Sequence, residues 1–136
     1  MEIKKVMTRD IVTCSPNDLV PEIAQSMQAL DIGCMPVMEQ HRVVGMITDR
    51  DIASRSDSNN KQQLVKDVMT TEIYSIGPNG STEEAADIMA QHHIRRLPII
   101  KQDCLIGFVA LTDLAIPQES LHDTSYVIHP ISGLHI

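Results

Sequence analysis

The chain has 136 residues, 43% hydrophobic and 2% aromatic, with a formal net charge of −7 and a pI near 5.2. That length supports one compact module or two small halves, with a core built from Ile, Val, Leu, Met and Ala. The acidic balance excludes a sequence-independent grip on nucleic acid or anionic lipid, which needs a basic surface, and the scarcity of aromatics excludes a single-strand stacking platform.

The N-terminus, "MEIKKVMTRD", lacks the apolar core of a signal peptide, and no apolar stretch approaches the length of a membrane span. The first extended segment is "DIVTCS", residues 10–15, rich in β-branched side chains. Pro16-Asn17 then turns the chain into a helix with Leu19, Ile23, Met27 and Leu30 on one face. Two short strands follow, "PVM" and "RVVGMI", joined by the polar turn "EQH", with Gly45 where backbone can approach closely. A second helix opens at "TDRDI", and the polar, turn-rich residues 53–63 end it and form a link.

The same order then recurs. "EIYSIG" is extended, Pro78-Asn79 turns, and Ser81 with Glu84 has the form of a capping box. The helix behind it carries Ala85, Ile88, Met89 and His92 on one face. "PII" and "CLIGFVA", joined by "KQD", form a second hairpin with Gly107, and a helix starts near "LTDLA". Residues 117–136 lie beyond this pattern, either as a loose tail or as a strand, "SYVIH", that docks on a partner.

The recurrence is exact in register. Val6-Met7-Thr8 meets Val68-Met69-Thr70, a shift of 62 positions (68 − 6 = 62). At that shift Pro16 meets Pro78, Met27 meets Met89, Pro36 meets Pro98, Gly45 meets Gly107 and Asp51 meets Asp113, with no gap. The expected fold is α+β: two strand–helix–strand–strand–helix repeats, packed about a pseudo-twofold axis because neither sheet buries both faces alone. Residues 1–60 form the first repeat, 61–116 the second, and 117–136 a C-terminal tail.

The two copies of the most specific element are "MPVM…GMITDRD" and "LPII…GFVALTD". With "VMT" and "HHIRRLPII", they make residues 2–116 resemble a tandem of cystathionine β-synthase (CBS) domains, the Bateman module. The resemblance implies two symmetry-related clefts for adenine nucleotides or similar ligands. Each cleft is composite: the opening strand and pre-strand segment of one copy face the T-x-x-D element of the other. It also implies a regulatory role and dimers shaped as flat discs.

T-x-x-D has its own chemistry. Thr48, where a strand gives way to a helix, can cap that helix, whose N-terminus favours an anion. Asp51 can accept two hydrogen bonds from a vicinal diol, as an acidic residue does for ribose in dinucleotide folds. The competing reading of the pair is an ordinary capping box.

By the resemblance, Thr48 and Asp51 face Thr70, Ile73, Tyr74, Ser75, Ile94, Arg95, Arg96 and Pro98. Arginine offers paired planar donors for phosphate oxygens; a solvated flank of the helix end is the alternative for Arg95 and Arg96. The opposite cleft combines Asp113 with Thr8, Ile11, Val12, Thr13, Cys34, Met35 and Pro36. There Ala110 replaces the threonine, and Gly33 and Cys34 replace the two arginines. One competent phosphonucleotide cleft and one weaker cleft are therefore expected.

Cys14, Cys34 and Cys104 are odd in number and lack CxxC spacing, which fits reduced thiols, and no four-ligand metal cluster stands out. His92 and His93 read as flanks of a helix end. No nucleophile elbow or P-loop is present, so the chain is not expected to be an enzyme. The expected function is a cytoplasmic, stand-alone sensor. It would bind AMP, ADP or ATP, with NAD, S-adenosylmethionine or a cyclic dinucleotide also in range. It would act as a homodimer on a regulated protein partner, without nucleic acid or membrane. A ligand-independent interaction scaffold is the alternative.

Overall fold

A computed structural model describes residues 1–115 and 127–131. The chain divides into two compact units, Val12–Ile73 with His129–Ile136, and Met1–Ile11 with Tyr74–Ile128. Each unit thus joins the helices and hairpin of one repeat to the segment that opens the other. The strands are β1 (Asp10–Thr13), β2 (Cys34–Glu39), β3 (Arg42–Thr48), β4 (Arg96–Lys101), β5 (Cys104–Ala110) and β6 (Val127–Pro130). The helices are α1 (Val20–Leu30), α2 (Asp49–Arg55), α3 (Thr82–His92) and α4 (Leu111–Ala115). This is the α+β content that the sequence implies, with the strand–helix–strand–strand–helix order complete in the first repeat and the opening strand missing from the second.

In the first-hairpin unit, α1 has Pro21 in its first turn, where a missing N–H costs nothing. It buries Ile23 and Met27 against Met35, Val37 and Ile47 of the hairpin. Leu30, expected on the same face, is 45% exposed. The helix stops there because Asp31 turns left-handed at φ 54°, and Ile32 packs on the core in its place, its N–H bonded to the Met27 carbonyl. A 3₁₀ turn, Val65–Asp67, supplies Val65 and Val68 to this core. Beyond it, Thr70 exchanges both backbone hydrogen bonds with Met46 of β3, at 2.8 and 2.9 Å.

The second-hairpin unit repeats this with the N-terminal arm. Ile3, Val6 and Met7 join Met89, Leu97, Ile99 and Val109 in its core. Thr8 exchanges backbone bonds with Phe108 at 2.7 and 2.9 Å. The Ser81 hydroxyl accepts from the Glu84 N–H at 3.1 Å and so caps α3 as its spacing implies.

Both hairpins are antiparallel and have two-residue turns, Gln40-His41 and Gln102-Asp103, all four at positive φ. Glu39 and Lys101, read as turn residues, are the last residues of β2 and β4. Each ladder slips once, between Val37 and Met38 and between Ile99 and Ile100. "EIYSIG" departs from its reading as a strand: its ladder is confined to a bridge from Ile76 to Ile99. Its counterpart β1 forms a strand because β6 pairs with it. Part of "SYVIH" is therefore strand; residues 116–126 and 132–136 of the tail lie outside the described residues.

Candidate functional site

The T-x-x-D element sits where β3 meets α2. The Thr48 hydroxyl accepts from the Asp51 N–H at 3.0 Å, and Asp51 Oδ2 accepts from the Thr48 N–H at 3.1 Å, a complete capping box. The Thr70 hydroxyl also lies 3.3 and 3.4 Å from the two carboxylate oxygens, and Asp51 is only 9% exposed. Thr48, Asp51 and Thr70 therefore form one polar cluster. The expected anion seat at the helix end needs correction: the cap occupies an N–H there and sets a carboxylate beside it, which opposes an anion. The carboxylate keeps unused lone pairs for further donors, since each oxygen accepts two bonds.

The second-hairpin unit keeps half of this device. Asp113 Oδ2 accepts from the Ala110 N–H at 2.9 Å, and Ala110 has no hydroxyl to return the bond. Arg96 opens β4 directly across from Ala110, as Cys34 opens β2 across from Thr48. Arg95 and Arg96 are exposed, and among the described residues neither makes an ion pair. The Arg95 carbonyl accepts from the Leu111 N–H at 2.8 Å, which fixes the backbone at the start of α4.

The remaining expected residues are distributed as follows. Ile73 is half-buried and belongs with Thr48, Asp51 and Thr70 to the first-hairpin unit; Tyr74, Ser75, Ile94, Arg95, Arg96 and Pro98 belong to the second. Tyr74 stacks on His92, with ring centroids 3.5 Å apart and planes 14° from parallel. His92 is thus engaged through its ring face, a contact that no spacing rule anticipates across 18 positions (92 − 74 = 18). Of the weaker set, Thr8, Ile11 and Asp113 fall in the second-hairpin unit; Val12, Thr13, Cys34, Met35 and Pro36 fall in the first.

Cys14 and Cys34 are buried and Cys104 is exposed, all as free thiols. Burial pushes the Cys14 thiol up to about 12, with the charges of Asp18 and Cys34 adding to the shift. One site feature was missed in the sequence. Asp49 takes the position of Leu111, and its carboxylate stands beside Gly33, where an added Cβ would lie 3.1 Å from Oδ2. Comparing the two copies at 49 and 111 would have found it. The first hairpin thus carries an acid where the second carries Arg95.

Two units of one repeated α+β pattern, each with a capped T-x-x-D or its remnant, define a tandem module. The CBS domain family model matches residues 3–58 and again 65–116, and the chain belongs to the CBS domain family as a tandem pair. It is 44% identical over 136 residues to the CBS domain-containing protein YhcV of Bacillus subtilis, covering 98% of this chain and 97% of that protein. The solved structure of Hypoxic Response Protein I with two coordinated zinc ions is 27% identical, with a TM-score of 0.75 over 85% of this chain and 97% of that one. Among the described residues here, no group of three or more His, Cys, Asp or Glu is placed to hold a metal. The CBS domain pair of protein MJ0100, in complex with 5′-methylthioadenosine and S-adenosyl-L-methionine, shares the fold at 20% identity and a TM-score of 0.76, over 85% of this chain and 93% of that one. No helix among the described residues is long and apolar enough to cross a membrane.

Proposed function

We propose that this CBS pair is a cytoplasmic sensor that binds one adenosine-containing phosphonucleotide and signals to a protein partner through a change in its own packing or in a homodimer. The observation that carries the reading is the exposed pair Arg95-Arg96. It lies outside any ion pair among the described residues of an acidic chain, at positions the other copy fills with Gly33 and Cys34. A fold that accepts Gly and Cys there does not need two arginines, and planar guanidinium donors suit phosphate oxygens. In this reading Thr48, Asp51 and Thr70 serve the ribose, Ile73, Tyr74, Ser75, Ile94 and Pro98 line the base, and Arg95 and Arg96 hold phosphate. The adenosine ligands of the MJ0100 pair favour an adenine compound. The set around Asp113 lacks both the hydroxyl and the arginines and takes at most a nucleoside-type ligand.

Ligand control follows from differential affinity. The nucleotide shifts an equilibrium only by the difference in its affinity for the two states. The test is a thermal-shift and calorimetric screen against AMP, ADP, ATP, NAD, S-adenosylmethionine, cyclic dinucleotides and unphosphorylated adenosine. At about 100 times Kd a bound nucleotide stabilises the fold by about 2.7 kcal/mol. Arg96→Ala should remove the gain of the phosphorylated compounds over adenosine. If none of the compounds shifts the melt, the nucleotide reading fails and the ligand-independent scaffold stands.

A further inference from the structure

The chain has one Phe, two Tyr and no Trp. One of these scarce rings, Tyr74, is half-buried against the core of the second-hairpin unit. It lies flat on the His92 imidazole, with ring centroids 3.5 Å apart and planes 14° from parallel. The 62-residue register places Val12 at Tyr74 and Leu30 at His92. Leu30, like His92, is the last residue of its helix, yet no ring pair can form there. Both partners of the stack thus belong to the copy that also carries Arg95 and Arg96.

The stack ties together two segments whose backbones are already fixed. Two residues after Tyr74, the Ile76 N–H donates to the Pro98 carbonyl at 3.2 Å, and the Ile76 carbonyl accepts from the Ile100 N–H at 3.0 Å. On the other side α3 ends at His92, and His93 turns left-handed at φ 56°. The Ile94 N–H then returns to the Met89 carbonyl at 3.0 Å, just before Arg95. What freedom Tyr74 keeps lies in its two side-chain torsions, and face-on contact with His92 restrains both. A ring already held in place costs less to order when a ligand packs on it.

We infer that His92 is a positioning residue for the nucleotide base: it holds the Tyr74 ring in the orientation against which the base packs, and does not itself touch the ligand. Resting on the reading of Tyr74 as base lining, this role gives His92 a share of the affinity common to adenosine and its phosphates. Arg95 and Arg96, by contrast, act on the phosphates alone.

The test has one arm without ligand and one with it. In a Tyr126→Phe background Tyr74 is the sole tyrosine, so the tyrosine band of the near-UV circular dichroism reports its ring. His92→Ala should weaken that band with the far-UV spectrum unchanged, and His92→Phe should keep it. In calorimetry with adenosine and with AMP, His92→Ala should raise both dissociation constants by the same factor, about three- to tenfold. His92→Phe should restore wild-type affinity. Added to Tyr74→Ala, the His92→Ala change should cost nothing more, because it acts through the lost ring. An unaltered tyrosine band overturns the inference. So does a loss confined to AMP, or one that adds in full to Tyr74→Ala. A wild type that binds neither compound fails the nucleotide reading and this role with it. Wild-type binding that His92→Ala leaves intact overturns the role of His92 alone.

Discussion

The Asp51 carboxylate accepts from the Thr48 N–H and the Thr70 hydroxyl, while the Asp51 N–H donates to the Thr48 hydroxyl and so closes the cap on α2. Losing the Thr48 hydroxyl removes one cap bond, so Thr48→Ala should cost about 1 kcal/mol in urea unfolding. The reverse change tests the same physics: Ala110→Ser restores the missing acceptor and should gain several tenths to about 1 kcal/mol. The spacing of Thr48 and Asp51 made the cap legible in the sequence, whereas nothing local linked Asp51 to Thr70, 19 positions on. Cysteines give a second residue-scale prediction. With its thiol pushed up to about 12, Cys14 at pH 8 is thiolate in about one molecule in ten thousand. Iodoacetamide should therefore label native protein first at exposed Cys104, and Cys14 only in urea, as read by peptide mass spectrometry. The sign for stability follows: the folded state keeps the Cys14 proton between pH 9.0 and about 12 while the unfolded chain loses it. Stability is thus intact below pH 9.0 and falls above it, and Cys14→Ala should show a smaller loss between pH 8 and 10.

At the scale of elements, each hairpin is crossed by a segment from the neighbouring repeat, and the glycine at the crossing admits it. At Gly45 an added Cβ would lie 2.5 Å from the Met69 sulfur and 3.0 Å from the Thr70 carbonyl; at Gly107 it would meet the Met7 side chain. Both Gly45→Ala and Gly107→Ala should destabilise by about 1–3 kcal/mol as overpacked sites, seen as lower urea midpoints with unchanged slopes. If either melts like the wild type, the crossing is not as tight as drawn. The glycines were legible as close-approach positions because they recur at the same place in both hairpins. What crosses them was legible only through the resemblance, which set Thr70 opposite Asp51, since "VMT" reads as the start of its own repeat yet packs on the hairpin of the other. Helix and hairpin order followed from periodicity and turn residues. "EIYSIG" misled because β-branched content describes a side chain's preference and says nothing of whether a partner strand is present. Leu30 misled because periodicity does not report where a left-handed Asp31 ends the helix.

For the whole molecule, the repeat is most informative where its copies disagree. Met, Pro and Gly positions recur because both cores need them, whereas Arg95, Arg96, Leu111 and Ala110 stand against Gly33, Cys34, Asp49 and Thr48. One copy therefore carries cations before its second strand, and the other carries a carboxylate at Gly33. A phosphate gains from the first setting and is repelled by the second, so a phosphonucleotide should bind with a calorimetric stoichiometry near one per chain, not two. On the proposed reading the phosphate is held by exposed arginines, so its affinity should fall as salt rises, with unphosphorylated adenosine far less affected. Arg95→Ala and Arg96→Ala should each raise Kd about tenfold, the loss of roughly one charge-assisted bond of 1.5 kcal/mol. Two equal sites, or an affinity indifferent to both salt and the arginines, would show that the difference between the copies serves something other than phosphate.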